Sequence, residues 1–151
     1  CFLEEAMDLG KLKWPLIIAA VVLVFWLASN GGVNYMVSKF TTAVPGQDQE
    51  RDRLDEAGLS RFGGYLMYTF QFDKAASVLE LAVDRYGPLG ANYWYNLYRL
   101  SKCYDRLKRY RESYDILTML VDNDASQFDK RVPDSQIMRV TATRLQEVQG
   151  L

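Results

Sequence analysis

Acid–base chemistry near neutral pH usually draws on histidine, and this chain contains none. The commonest metal ligand is lost with it. The two cysteines, Cys1 and Cys103, stand far apart with no CxxC spacing and no histidine companion, so neither a metal site nor a redox pair is expected. Cys103 falls inside an apolar helical pattern and reads as a small buried hydrophobe. Cys1 reads either as a lipidated terminus or simply as the position where the numbering begins. Asp122 and Asp124 are paired carboxylates at an expected helix end, where capping accounts for them. No catalytic residue, metal, cofactor or small-molecule substrate is therefore expected, and the chain is read as a non-enzyme.

The net charge of −1 and a pI near 5.5 provide no broad basic field for nucleic acid. In YDRLKRYRESYD the cations Arg106, Lys108, Arg109 and Arg111 are diluted by Asp105, Glu112 and Asp115, and the stretch reads as a solvated helix junction. What remains is recognition. Tyr95, Tyr98, Lys102 and Arg106 give one expected helix an aromatic and basic character. Tyr and Arg concentrate at binding hot spots because they bring large contact area with directed hydrogen bonds. The plainer alternative is that the rings of ANYWYNLY pack on a neighbouring helix or at a membrane interface.

The elements that would position such a face follow from the hydrophobic pattern. Trp14 to Ala28 reads WPLIIAAVVLVFWLA without a charge. At ~1.5 Å per residue this run alone is short for a hydrocarbon core of ~30 Å. One helix over 11–40 is therefore expected as a transmembrane anchor, after a flank at 1–10. Trp14, Trp26 and Tyr35 suit the interfaces, and Lys11, Lys13 and Lys39 can snorkel. A cleavable signal is the rival, and no A-x-A pattern supports it. Ala28 and Gly32 form a small-xxx-small pair beside Asn30 and Asn34, a stripe that would let another helix approach within a membrane assembly. Basic residues near the span slightly favour a cytoplasmic N-terminus, which would put the soluble part in the periplasm or an equivalent outer compartment.

Pro45 and Gly46 close a linker at 41–46, and the run QDQERDRLDEA reads as a solvated helix start. Beyond it apolar residues return with helical spacing: Leu59, Phe62, Leu66, then Ala75, Val78, Leu79, Ala82. The expected fold class is all-α, with helices ending near Phe70, starting at an Asp73 cap and stopping at Gly87-Pro88, then spanning about 92–107 and 110–121. A last helix within 133–149 would cap the stack through Ile137, Val140, Leu145 and Val148.

Within the helical domain at 47–151 the hairpins resemble tetratricopeptide repeats over roughly 57–124, with units near 56–89 and 94–125. Leu59, Phe62, Gly63 and Leu66 match the first helix of the motif, and Ala75, Leu79 and Ala82 its second. Leu97, Leu100, Ser101 and Tyr104, then Tyr110, Ser113, Leu117 and Leu120, match the next unit, with extra residues near Trp94. The aromatic anchors of the motif are replaced in the first unit. The resemblance implies an α-solenoid groove lined by Ser60, Gly64, Met67, Tyr68, Tyr95, Tyr98, Lys102 and Arg106. It also implies a protein partner, while the Lys/Asn set that clamps a terminal carboxylate is missing from the first helix. Two readings of function stand side by side. One is an adaptor or accessory subunit that is anchored in the membrane and recruits a protein through the groove. The other is a structural subunit of a large membrane complex, held there by its span.

Overall fold

The computed structural model describes residues 9–151, so Cys1 lies outside the described residues. These residues divide into a unit ending at Met36 and a second unit from Val37 to Leu151. Helices α1 (Leu9–Ala28) and α2 (Asn30–Phe40) lead into α3 (Gln49–Tyr68), α4 (Phe72–Tyr86), a 3-10 turn (Gly87–Leu89) and α5 (Tyr93–Arg106). Then follow α6 (Tyr110–Asp122), the single turn α7 (Ala125–Phe128) and α8 (Ser135–Gln149). Among the described residues the fold is all-α.

In the first unit the stretch Gly10–Ala28 forms a helix long and apolar enough to cross a membrane. Trp14, Ile18, Val22 and Phe25 are exposed along it. Its 20 residues amount to ~30 Å, so α1 reaches the required length by starting at Leu9 rather than by running on past Asn30. The expected single helix over 11–40 is broken at Ser29. There the Ser29 hydroxyl donates to the Trp26 carbonyl at 2.5 Å and accepts from the Gly32 amide at 3.3 Å, replacing backbone bonds that a straight helix would make. A Cβ on Gly32 would collide with the Trp26 carbonyl and the Leu27 backbone. The smallness of Gly32 is thus used within its own chain. Trp26 and Tyr35 meet across the break with ring centroids 6.0 Å apart.

In the second unit α3 packs on α4, α4 on α5, α5 on α6 and α6 on α8, a serial stack in which chain neighbours are spatial neighbours. The apolar spacing read from the sequence lies inside it: Leu59, Leu66, Ala75 and Leu79 are fully buried. The two hairpins repeat each other 38 positions apart, as 70 with 108 and 75 with 113. Phe70 and Lys108 both take positive φ, 60° and 61°. Gln71 donates to the Leu66 carbonyl at 2.9 Å, and Arg109 to that of Tyr104 at 2.8 Å, closing each helix in the same way. Small residues recur at the helix crossings. A Cβ on Gly63 would lie 2.6 Å from Leu79, and Ser113 donates to the Ser101 carbonyl at 2.8 Å.

Four details differ from the sequence expectation. The linker at 41–46 belongs to the second unit. Arg85 donates to the Ala43 carbonyl at 2.6 Å, Asp52 accepts from the Gly46 amide at 2.8 Å, and the Phe40 ring fills the space beside Gly58. Asp73 sits inside the first turn of α4, whose cap position is Gln71. The start of α3 is not wholly solvated, since Asp55 and Glu56 are buried. Helix α8, capped by Asp134 on the Gln136 amide at 2.8 Å, turns Met138, Ala142 and Leu145 into the core. Ile137, Val140 and Val148 face outward instead, because the stack accepts the small Ala142 between two large side chains and that register leaves them on the other side.

Candidate partner-binding surface

The face expected on the third helix after the linker is carried by α5. Its apolar residues Leu97, Leu100 and Cys103 anchor it in the core. Tyr98 and Lys102 then line an open cavity of about 150 Å³ together with Ser101, Asp105, Pro133 and Ile137. The Lys102 ammonium lies 5.5 Å from the Tyr98 ring centre, and the Arg106 guanidinium 5.7 Å from that of Phe72. Neither cation forms an ion pair among the described residues. Burial, reinforced by Tyr95, pushes the Tyr98 phenol above its ordinary pKa, so it stays a neutral donor at physiological pH.

The other predicted groove residues divide. Met67 is half-buried, and Tyr68 at the end of α3 is 87% exposed. Two guanidiniums, those of Arg99 and Arg131, each lie 4.4 Å from the Tyr95 ring centre. Ser60 is buried and engaged in hydrogen bonds, so it holds helices together rather than meeting a ligand. Gly64 provides room for Arg99, whose Nη1 would be 2.7 Å from a Cβ there. In the first unit Ala28 and Gly32 are buried, whereas Asn30 and Asn34 are exposed.

The sequence reading missed the polar network behind this face. Glu56 accepts from the Asn92 amide at 3.0 Å, from Asn92 Nδ2 at 2.7 Å and from Asn96 Nδ2 at 3.4 Å. Ser60 donates to Asn96 Oδ1 at 2.7 Å. Arg99 Nη2 donates to that same oxygen and to the Ser60 hydroxyl, both at 2.6 Å, and to the Ser60 carbonyl at 2.9 Å. Arg99 Nε has no hydrogen-bond partner among the described residues, and the Tyr95 ring stacked on the guanidinium offsets part of that cost. Burial lowers the Arg99 pKa, with the neighbouring Tyr95 and Glu56 opposing the shift. Arg131, held by Asp129 at 2.7 Å, extends the network to Asn92 at 2.9 Å. The signal for it was Glu56 and Ser60 four apart, facing Asn92, Asn96 and Arg99 at helical spacing, but nothing in a polar run marks which members turn inward.

Cys103 is buried, and burial pushes its thiol up to about 11. In a Cys1→Ser chain at pH 8, alkylation of the folded protein by iodoacetamide is expected to be at least roughly 100-fold slower than in urea, since the thiolate is both scarce and enclosed. Equal rates in the two conditions would contradict the burial.

No family model, curated protein or solved structure matches the chain.

Proposed function

We propose that this chain is a non-enzymatic, membrane-anchored adaptor or accessory subunit, with α1 as a single-pass span and the α3–α8 stack as a tetratricopeptide-like module that binds a protein. The observation that carries the reading is the solvent-facing side of α5. There Tyr98 and Lys102 line an open cavity, and among the described residues Lys102 and Arg106 make no ion pair. Cations left without carboxylate partners beside rings are poised for a second protein, which can supply the missing charge and cover the aromatic area. The repeated hairpins, 38 positions apart, support the solenoid reading, because each such unit buries its apolar faces against the next. The longer spacing, compared with the motif's usual 34, is accommodated in the connection 87–92 and in the first turn of α5, where Trp94 lies. On this reading the stack faces the periplasm or an equivalent outer compartment. The partner is a protein, and neither nucleic acid nor a small molecule is its ligand.

The test is purification of the full chain in mild detergent beside a Tyr98→Ala/Lys102→Glu variant. Proteins retained by the parent chain are expected to be lost from the variant while its helix content is unchanged. Retention by the variant, together with loss when α1 is replaced by an unrelated apolar helix, would instead assign the protein as a structural subunit held through its span.

A further inference from the structure

The end of the second unit where the chain enters from α2 carries two apolar loop tips. One is the linker, with Val44 59% exposed and Pro45 exposed beside it. The other is the 3-10 turn, where Leu89 is 97% exposed. Hydrogen bonds hold the two together: Tyr86 donates to the Phe40 carbonyl at 3.4 Å, and Arg85 to that of Ala43 at 2.6 Å, just before the turn begins. An open cavity of about 560 Å³ separates the tips, lined by Pro45 and Gly46 on one side and Leu89 and Gly90 on the other. Arg53 also lines it and forms no ion pair among the described residues, while the nearby Asp52 is engaged by the Gly46 amide.

From this arrangement we infer that the linker and the 3-10 turn rest in the lipid interface, with Val44 and Leu89 inserted at the headgroup–acyl boundary. The inference depends on α1 being a membrane span, as proposed above. Nine positions lead from Ala28 to Val37, which at helical rise is a reach of ~14 Å, so the chain cannot carry this end far from the bilayer surface. A leucine on a tight turn has no folding role when its side chain touches almost nothing. At a bilayer it gains transfer energy, and its turn backbone stays in the hydrated headgroup layer where amides remain satisfied. Arg53, exposed at the rim of a cavity that Asp52 and Glu56 also line, would be the counter-charge for a lipid phosphate.

The test uses the full chain with Cys1→Ser, reconstituted in phosphatidylcholine bilayers and spin-labelled in turn at Val22→Cys, Val44→Cys, Tyr68→Cys and Leu89→Cys. Collision with oxygen and with a water-soluble nickel chelate reports depth. Labels at 44 and 89 are expected to show nickel collisions reduced several-fold relative to 68, at a depth short of that at 22. If 22 is deep while 44 and 89 are as open to nickel as 68, the loop contact is wrong and the anchor stands. If 22 is itself open to nickel, the anchor reading fails and the loop contact falls with it.

Discussion

Glu56→Ala is expected to lower the stability of the second unit by about 3 kcal/mol, the cost of leaving buried amide donors without their acceptor. Glu56 is 2% exposed, and the Asn92 amide, Asn92 Nδ2 and Asn96 Nδ2 all point to its carboxylate. Truncation removes the acceptor and leaves the donors in place, which is worse than removing both sides. For a unit of this size, each kcal/mol moves the thermal midpoint by roughly 4 °C, so the change is expected to be plain in a circular dichroism melt. Glu56→Gln keeps one acceptor oxygen and should recover part of the loss. A midpoint unchanged by Glu56→Ala would mean that the network carries little energy and that α3 and α5 are joined by other means.

The second large effect is at the crossing of α3 and α4. Leu79 is fully buried, and its side chain lies over Gly63, where even one added carbon would be 2.6 Å from it. Leu79→Ala should cost roughly 2–5 kcal/mol by opening a cavity. Gly63→Ala alone should cost about 1–3 kcal/mol through crowding, offset partly by the better helix propensity of alanine. Combined, the two should not add: the new methyl group enters the space left by the leucine, and the double variant should be more stable than Leu79→Ala alone. Denaturant titration of the four chains decides it. Simple additivity would mean that residues 63 and 79 do not share a contact.

Much of this fold was legible because its core is written in helical spacing. Leu59, Phe62, Leu66, Ala75, Val78, Leu79 and Ala82 are apolar, and all are buried. The hairpin ends were marked less well. Phe70 and Lys108 occupy left-handed positions where glycine or asparagine would have announced the turn. The register of α8 was misread because it offers two apolar stripes, and only the surface it meets selects Met138, Ala142 and Leu145 over Ile137, Val140 and Val148. The break at Ser29 was hidden for a related reason, since a serine in an apolar run bends the chain only when its hydroxyl takes over backbone bonds. As for the candidate surface, Tyr98 and Lys102, placed on one wall by the repeat resemblance, line the same cavity. Ser60 was placed on the correct helix but turned inward by partners, Asn96 and Arg99, that lie more than thirty positions away.

In a file of helices where each packs chiefly on the next, a disturbance at one end should peel members away singly, beginning with α8, which leans on α6. The bridge from Glu56 and Ser60 to Asn92, Asn96 and Arg99 skips a rank and ties α3 directly to α5. Peeling from the free end should therefore halt at α5, leaving a clasped trio nearest the incoming chain that lets go as one body.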